Sequence, residues 1–149
     1  MQEYMLDTNI FNRILDDNLD LEKFNKPHKP LFATHVQKDE INKTPDVNRR
    51  NNLLSIFEIA DDSIPTESAL WGQSKWGKAK WAADDLVEQI LKELNKKKRK
   101  KNNPKDALIA DTAIKNNYIL VTEDGDLYDV VTEVFNGSAK KLDDFINSL

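Results

Sequence analysis

The chain has 149 residues, 39% of them hydrophobic, no cysteine and a net charge of -4, a length that suits one domain burying roughly 70% of the surface its unfolded chain would expose. Without cysteine, disulfides, thiolate metal sites and cysteine nucleophiles are excluded, so a metal would be held by oxygen or by one of the two histidines, which points to hard cations. No apolar run approaches the ~20 residues of a membrane span, and the N-terminus, with Glu3 and Asp7, lacks the regions of a signal peptide, so the expectation is a soluble, cytoplasmic protein.

Residues 3–6 read as a short buried strand that runs into Asp7, and Thr8 or Asn9 can cap the following helix, with Ile10, Ile14 and Leu19 on its buried side. An acid at that junction is placed to face the crevice where open α/β sheets bind ligands, beyond the carboxyl ends of the strands. The Lys26–Pro30 breaker leads to a second strand, Leu31–Ala33, and Thr34 then caps a helix from His35 to about Asn42. Val36 and Glu40 lie four apart on one face of it, so Glu40 projects near apolar packing, although a solvated surface acid is the commoner role for a helical glutamate. Both histidines read as surface or structural residues, His35 beside a cap and His28 between prolines.

After Pro45, residues 48–60 form an amphipathic helix with Leu53, Leu54, Ile56 and Phe57 inward, broken at Asp61–Pro65. Trp71, Trp76 and Trp81 recur every five residues, a spacing that turns successive side chains by about 140° on a helix, so the three cannot form one stripe. They are core aromatics or, alternatively, a partner-binding or base-stacking surface. The helix continues to Leu94 through Leu86, Val87, Ile90 and Leu91, and residues 96–101 are then all basic. Such a run is a solvated loop or a strip that neutralises nucleic-acid phosphates, as could Arg49 and Arg50.

Asn103-Pro104-Lys105-Asp106 carries helix-start signals in order, Asn103 as N-cap and Pro104 at the first position. The helix to about Lys115 holds Ala107, Leu108, Ile109, Ala110, Ala113 and Ile114, apolar over so much of its circumference that it must pack centrally. Asp106 is fixed in its first turn, where capping is the ordinary role of an acid. Asp111, about 140° further round, is a supporting candidate. Asn116-Asn117 ends the helix, and Tyr118–Val121 is a buried parallel strand that delivers Thr122-Glu123-Asp124-Gly125-Asp126 at its carboxyl end. A helix at about 127–135, a last strand near 139–142 and a terminal helix opened by Asp143-Asp144 complete the alternation expected of an α/β protein with a parallel sheet and right-handed crossovers.

Four acids thus have separate reasons to approach one crevice: Asp7, Glu40, Asp106 and Asp124. Crowded carboxylates repel and are costly without a cation, so the set fits Mg²⁺ or Mn²⁺, which take oxygen ligands.

The segments Leu6–Ile10, Glu40, Asp106–Ala113 and Leu120–Leu127, together with Ser68–Gly72, resemble the PIN-domain family of metal-dependent ribonucleases, most of all the VapC-type toxins of toxin–antitoxin pairs. The likeness covers residues 4 to about 146 and implies a three-layer α/β/α PIN-like fold over residues 1–149, with a central, mostly parallel sheet of four or five strands and a helical, basic segment at about 45–103. It departs from the family pattern in the longer, more basic stretch 78–103, in Asp111 and in Leu127, none of which removes an acid. The resemblance implies that Asp7, Glu40, Asp106 and Asp124 are the catalytic and metal-binding residues, with Asp126 in reserve and Thr122 and Asn9 as orienting partners. It implies hydrolysis of an RNA phosphodiester by a metal-activated water, with Mg²⁺ or Mn²⁺ as cofactor and a small antitoxin as partner, and it allows a homodimer. An RNA-processing nuclease that is not a toxin, or a PIN-fold module that binds RNA or protein without turnover, remains open beside it. A haloacid-dehalogenase-type phosphatase would want an aspartate where Asn9 stands, and a receiver domain would want paired acids near the first strand.

Overall fold

The computed structural model describes residues 2–64 and 81–149, with the backbone alone for 81–85. Trp71, Trp76 and the Ser68–Gly72 segment lie outside the described residues, as does the side chain of Trp81.

The elements follow the expected alternation: β1 (Tyr4–Leu6), α1 (Thr8–Asp16), a 3₁₀ turn (Leu21–Phe24), β2 (Leu31–Phe32), α2 (His35–Asn42), α3 (Val47–Phe57), α4 (Trp81–Lys97), α5 (Asn103–Lys115), β3 (Ile119–Val121), α6 (Gly125–Asp129), β4 (Ser138–Lys140) and α7 (Leu142–Asn147). The helix predicted at 127–135 begins earlier and is not uniform. A short α-helix gives way to a π-helical turn, Val130–Val134.

Among the described residues the sheet has four strands in the order β2-β1-β3-β4, and every neighbouring pair is parallel. A single parallel bridge between Phe32 and Asp61 extends the β2 edge. Parallel strands covered on both faces read as continuous apolar runs, and Tyr4, Met5 and Leu6 are all fully buried. Alternation sends Tyr4 and Leu6 to one face, where they join Ile10, Phe11 and Ile14 of α1 with Phe57, Leu142 and Phe145. Met5 and Leu120 face the other side and pack with Ile90 and Leu94 of α4 and Ala107 and Ala110 of α5. This is the expected three-layer α/β/α arrangement.

Two predicted caps are corrected. Asp7, rather than Thr8 or Asn9, caps α1, its Oδ1 accepting the Thr8 N–H at 2.7 Å. The residue before α5 is Asn102, which makes no side-chain cap bond, whereas Asn103 is buried and donates to Asn95 Oδ1 at 2.9 Å and to the Lys98 carbonyl at 2.8 Å. Asn103 stands instead at the first position of α5, and its side-chain N–H groups tie the start of that helix to the end of α4. Asn117, with φ 59°, takes the left-handed conformation that closes α5.

The register carries the fold towards function. Leu6 pairs with Val121, and the Asp7 N–H donates to the Val121 carbonyl at 2.9 Å, so Asp7 and Thr122 leave the sheet side by side. The next strand after β1 lies on one side of it and β3 on the other, the topology that opens a crevice at the carboxyl ends. Helix α2 is pinned to this edge by buried Gln37. Its Nε2 donates to the Leu6 carbonyl at 3.0 Å, and its Oε1 accepts the Thr34 N–H at 2.9 Å and the Thr34 hydroxyl. Replacing Gln37 by methionine keeps the volume but leaves these buried groups unsatisfied. Urea unfolding is expected to show a loss of about 1–3 kcal/mol, and an unchanged midpoint would contradict the role given to Gln37.

Candidate metal centre

Asp7 is 3% exposed and lies at the centre of a hydrogen-bond network that spans the sheet. Its Oδ2 accepts from the Thr122 hydroxyl at 2.7 Å and from Asn9 Nδ2 at 3.2 Å. The same Thr122 oxygen accepts the Asp124 N–H at 3.1 Å, and Asn9 Oδ1 accepts the Glu123 N–H at 3.2 Å. Thr122 and Asn9 therefore take the orienting places expected of them, each linking the end of β1 to the end of β3. Asp124 in turn caps α6, its Oδ1 accepting the N–H groups of Asp126 and Leu127 at 2.9 and 3.2 Å. Glu123 is held by Arg13 at 2.6 Å and is thereby committed to an ion pair.

Glu40 comes from α2, which Gln37 has docked, and its Oε1 accepts the Thr8 hydroxyl at 2.7 Å. That partner was not foreseen, although Thr8 directly follows Asp7 in sequence. Asp106 arrives from the first turn of α5. Burial pushes its carboxyl up to about 8, and Asp7, Asp124 and Glu40 all repel its charge while Lys100 opposes them. Asp7 is pushed up to about 6, chiefly by burial. The bonds from Thr122 and Thr8 lower it, and Glu40 and Asp124 raise it again. The charges of Asp7, Glu40 and Asp124 thus reach Asp106, and those of Glu40 and Asp124 reach Asp7.

Asp111 does not join them. It is buried further along α5, in an i,i+4 ion pair with Lys115 at 3.0 Å. Asp126 stands at the edge of the cluster, where Lys100 Nζ lies 3.5 Å from its Oδ2 and 3.3 Å from Asp124 Oδ2. The Lys100 ammonium is raised above its ordinary value: burial lowers it, and Asp124 and Asp126 outweigh that effect. Lys43 and Lys105 neighbour each other at the rim, and contact with Lys105 lowers the Lys43 ammonium. Arg49, expected as a phosphate contact, is engaged by Asp16 at 2.7 Å, and Arg50 donates to the Thr44 carbonyl. His28 and His35 are exposed, as expected.

The donor set consists of carboxylate oxygens, which suits a hard divalent cation. Among the described residues, however, no group of three His, Asp or Glu side chains is already arranged to hold a metal ion.

No protein-family model matches the chain, and no curated protein matches it in sequence. Solved structures do match in shape. A chain of VapBC2 from Rickettsia felis, whose structure was determined with a DNA fragment from its promoter, superposes with a TM-score of 0.56 at 20% identity, covering 94% of this chain and 98% of that one. A chain of VapBC-5 from Mycobacterium tuberculosis, of the VapBC family of toxin–antitoxin systems, gives 0.55 at 19% identity, covering 95% and 98%. The chain has the fold of these VapBC proteins. The α/β fold with a parallel sheet expected from the sequence is therefore the fold found. No helix among the described residues is long and apolar enough to cross a membrane.

The raised carboxyls give a pH signature. A group whose folded pKa lies above its unfolded value of 3.8 favours the folded state while protonated, and that stability is lost as pH rises through the folded value, here about 6 for Asp7 and about 8 for Asp106. In EDTA the protein is expected to melt at a higher temperature near pH 5 than near pH 8.5. Asp106→Asn should flatten that slope and stabilise the protein at pH 8.5 by ~2 kcal/mol or more. A thermal-melt series that is level in the native protein would contradict the crowding.

Proposed function

We propose that the chain is a divalent-metal-dependent endoribonuclease, a VapC-like toxin that hydrolyses RNA phosphodiester bonds, with Mg²⁺ or Mn²⁺ held by Asp7, Glu40, Asp106 and Asp124. The observation that carries this reading is the joined ends of β1 and β3, where Thr122 and Asn9 hold the buried Asp7 carboxylate and Thr122 also receives the Asp124 N–H, with Glu40 bonded to Thr8 next to Asp7. Four carboxylates converging from separate elements are a cost to the fold, and a divalent cation converts that cost into binding energy. When bound, the ion would act as a Lewis acid on the phosphate and lower the pKa of the attacking water.

The chain's own residues prepare the donors. Thr122 and Asn9 orient the Asp7 carboxylate, Thr8 orients Glu40, and the first N–H groups of α6 fix Asp124. Lys43 and Lys105 at the rim supply positive charge for the RNA backbone beside an acidic centre, which predicts binding that weakens with salt. The likeness to chains of VapBC toxin–antitoxin systems supports a small antitoxin protein as partner.

A second reading, a PIN-fold module that retains RNA without cleaving it, is favoured by one observation: Lys100 already neutralises part of the acid cluster. A cleavage assay separates the two. Mg²⁺ or Mn²⁺ is expected to support RNA hydrolysis, EDTA to stop it, and Asp7→Asn to lower the rate at least ~100-fold, the scale on which one electrostatic group contributes to catalysis, with the circular-dichroism spectrum unchanged. Cleavage that survives EDTA, or that is equal in Asp7→Asn, would contradict the proposal. RNA retention without turnover at every divalent ion would establish the second reading.

A further inference from the structure

We infer that Lys100 is a built-in counter-cation of the acid cluster: it occupies Asp124 and Asp126 until a divalent ion displaces it, so that the protein's affinity for the ion is set against its own side chain. The inference rests on the metal-centre reading above and concerns a residue which that reading does not use.

The basic run is not one undifferentiated strip. Lys96 continues α4 and pairs with Glu93 at 2.9 Å, and Lys97 approaches Asp129 at 3.8 Å, both on the helix surface. Lys100 alone of these three reaches the carboxylates of the crevice, 3.3 Å from Asp124 Oδ2 and 3.5 Å from Asp126 Oδ2. Its approach is built into the backbone. The buried Asn103 side chain ties the Lys98 carbonyl to Asn95, and the Asn103 N–H donates to the Lys100 carbonyl at 3.1 Å. The turn between α4 and α5 is thus held from within, and it aims one ammonium at the acids.

Charge explains why the site gains from this contact. Asp124 is the acid whose second oxygen is open to a cation, because its Oδ1 is taken up by the N–H groups at the start of α6. A divalent ion would need that same Oδ2 side of the carboxylate. It brings twice the charge, and the other acids whose charge reaches Asp106, Asp7 among them, favour it as well. The ion therefore displaces Lys100, but at the expense of an existing ion pair. A solvated, purely surface lysine would carry no such coupling.

Metal binding can be read without any substrate. Isothermal titration with Mn²⁺ at low ionic strength is compared for the native protein, Lys100→Gln, Lys100→Arg and Asp7→Asn, alongside thermal melts in EDTA. Lys100→Gln is expected to bind Mn²⁺ about fivefold more tightly, equivalent to ~1 kcal/mol, the upper range for a partly exposed ion pair, and to melt at a lower temperature than the native protein in EDTA. Lys100→Arg, which keeps the charge, should behave as the native protein does. Equal or weaker binding by Lys100→Gln, with Asp7→Asn still abolishing it, overturns the counter-cation while leaving the metal centre intact. Absence of Mn²⁺ binding in the native protein and Lys100→Gln alike overturns the metal centre and the competition with it.

Discussion

The hydrogen bond from the Thr122 hydroxyl to the Asp7 carboxylate, 2.7 Å across the ends of two parallel strands, is the interaction on which the rest of the site depends. It exists because Leu6 and Val121 are in register, which brings the two following residues out of the sheet together. The Thr122 oxygen also receives the Asp124 N–H, so one hydroxyl orients one acid directly and the next through its backbone. Burial makes the arrangement exacting. A carboxylate at 3% exposure has lost most of its water and must find its donors within the protein.

Around that bond the crevice is assembled by docking. Gln37 reads the Leu6 carbonyl and so sets the position of α2, which brings Glu40 within reach of the Thr8 hydroxyl. Asn103 performs the corresponding task for α5, fixing the helix whose first turn carries Asp106 and the turn that carries Lys100. Neither residue contributes a charge to the centre. Both are buried amides that convert secondary structure into a defined arrangement of acids, and both are satisfied by backbone carbonyls from another element.

Much of this was legible in the sequence because the governing signals are local. The apolar runs at Tyr4–Leu6 and Ile119–Val121 announce parallel strands, Thr34 announces the start of α2, and the apolar circumference of α5 announces its central position. Asp7, Asp106 and Asp124 could be named because each follows a strand or opens a helix, and Glu40 because it shares a face of α2 with Val36. What the sequence withheld depends on tertiary contacts. Asn103 has every local mark of a cap, yet it stands one position inside α5 and its side-chain N–H groups bond Asn95 and the Lys98 carbonyl. Lys100 is one of six consecutive basic residues, and only the fold of the turn distinguishes it. Asp111 follows Asp106 in the motif, but the 140° turn of the helix carries it to Lys115 instead.

The electrostatic state of the crevice unites these elements. Burial and repulsion raise Asp7 and Asp106, whereas Lys100 offsets part of the charge at Asp124 and Asp126. A divalent ion bound among these acids would relieve the imbalance. Anomalous diffraction from crystals soaked in Mn²⁺ tests it most directly. The account predicts a manganese peak within coordinating distance of Asp7 and at least two of Glu40, Asp106 and Asp124, with Lys100 withdrawn from Asp124; a crevice that stays free of manganese while Lys100 keeps its place would contradict it.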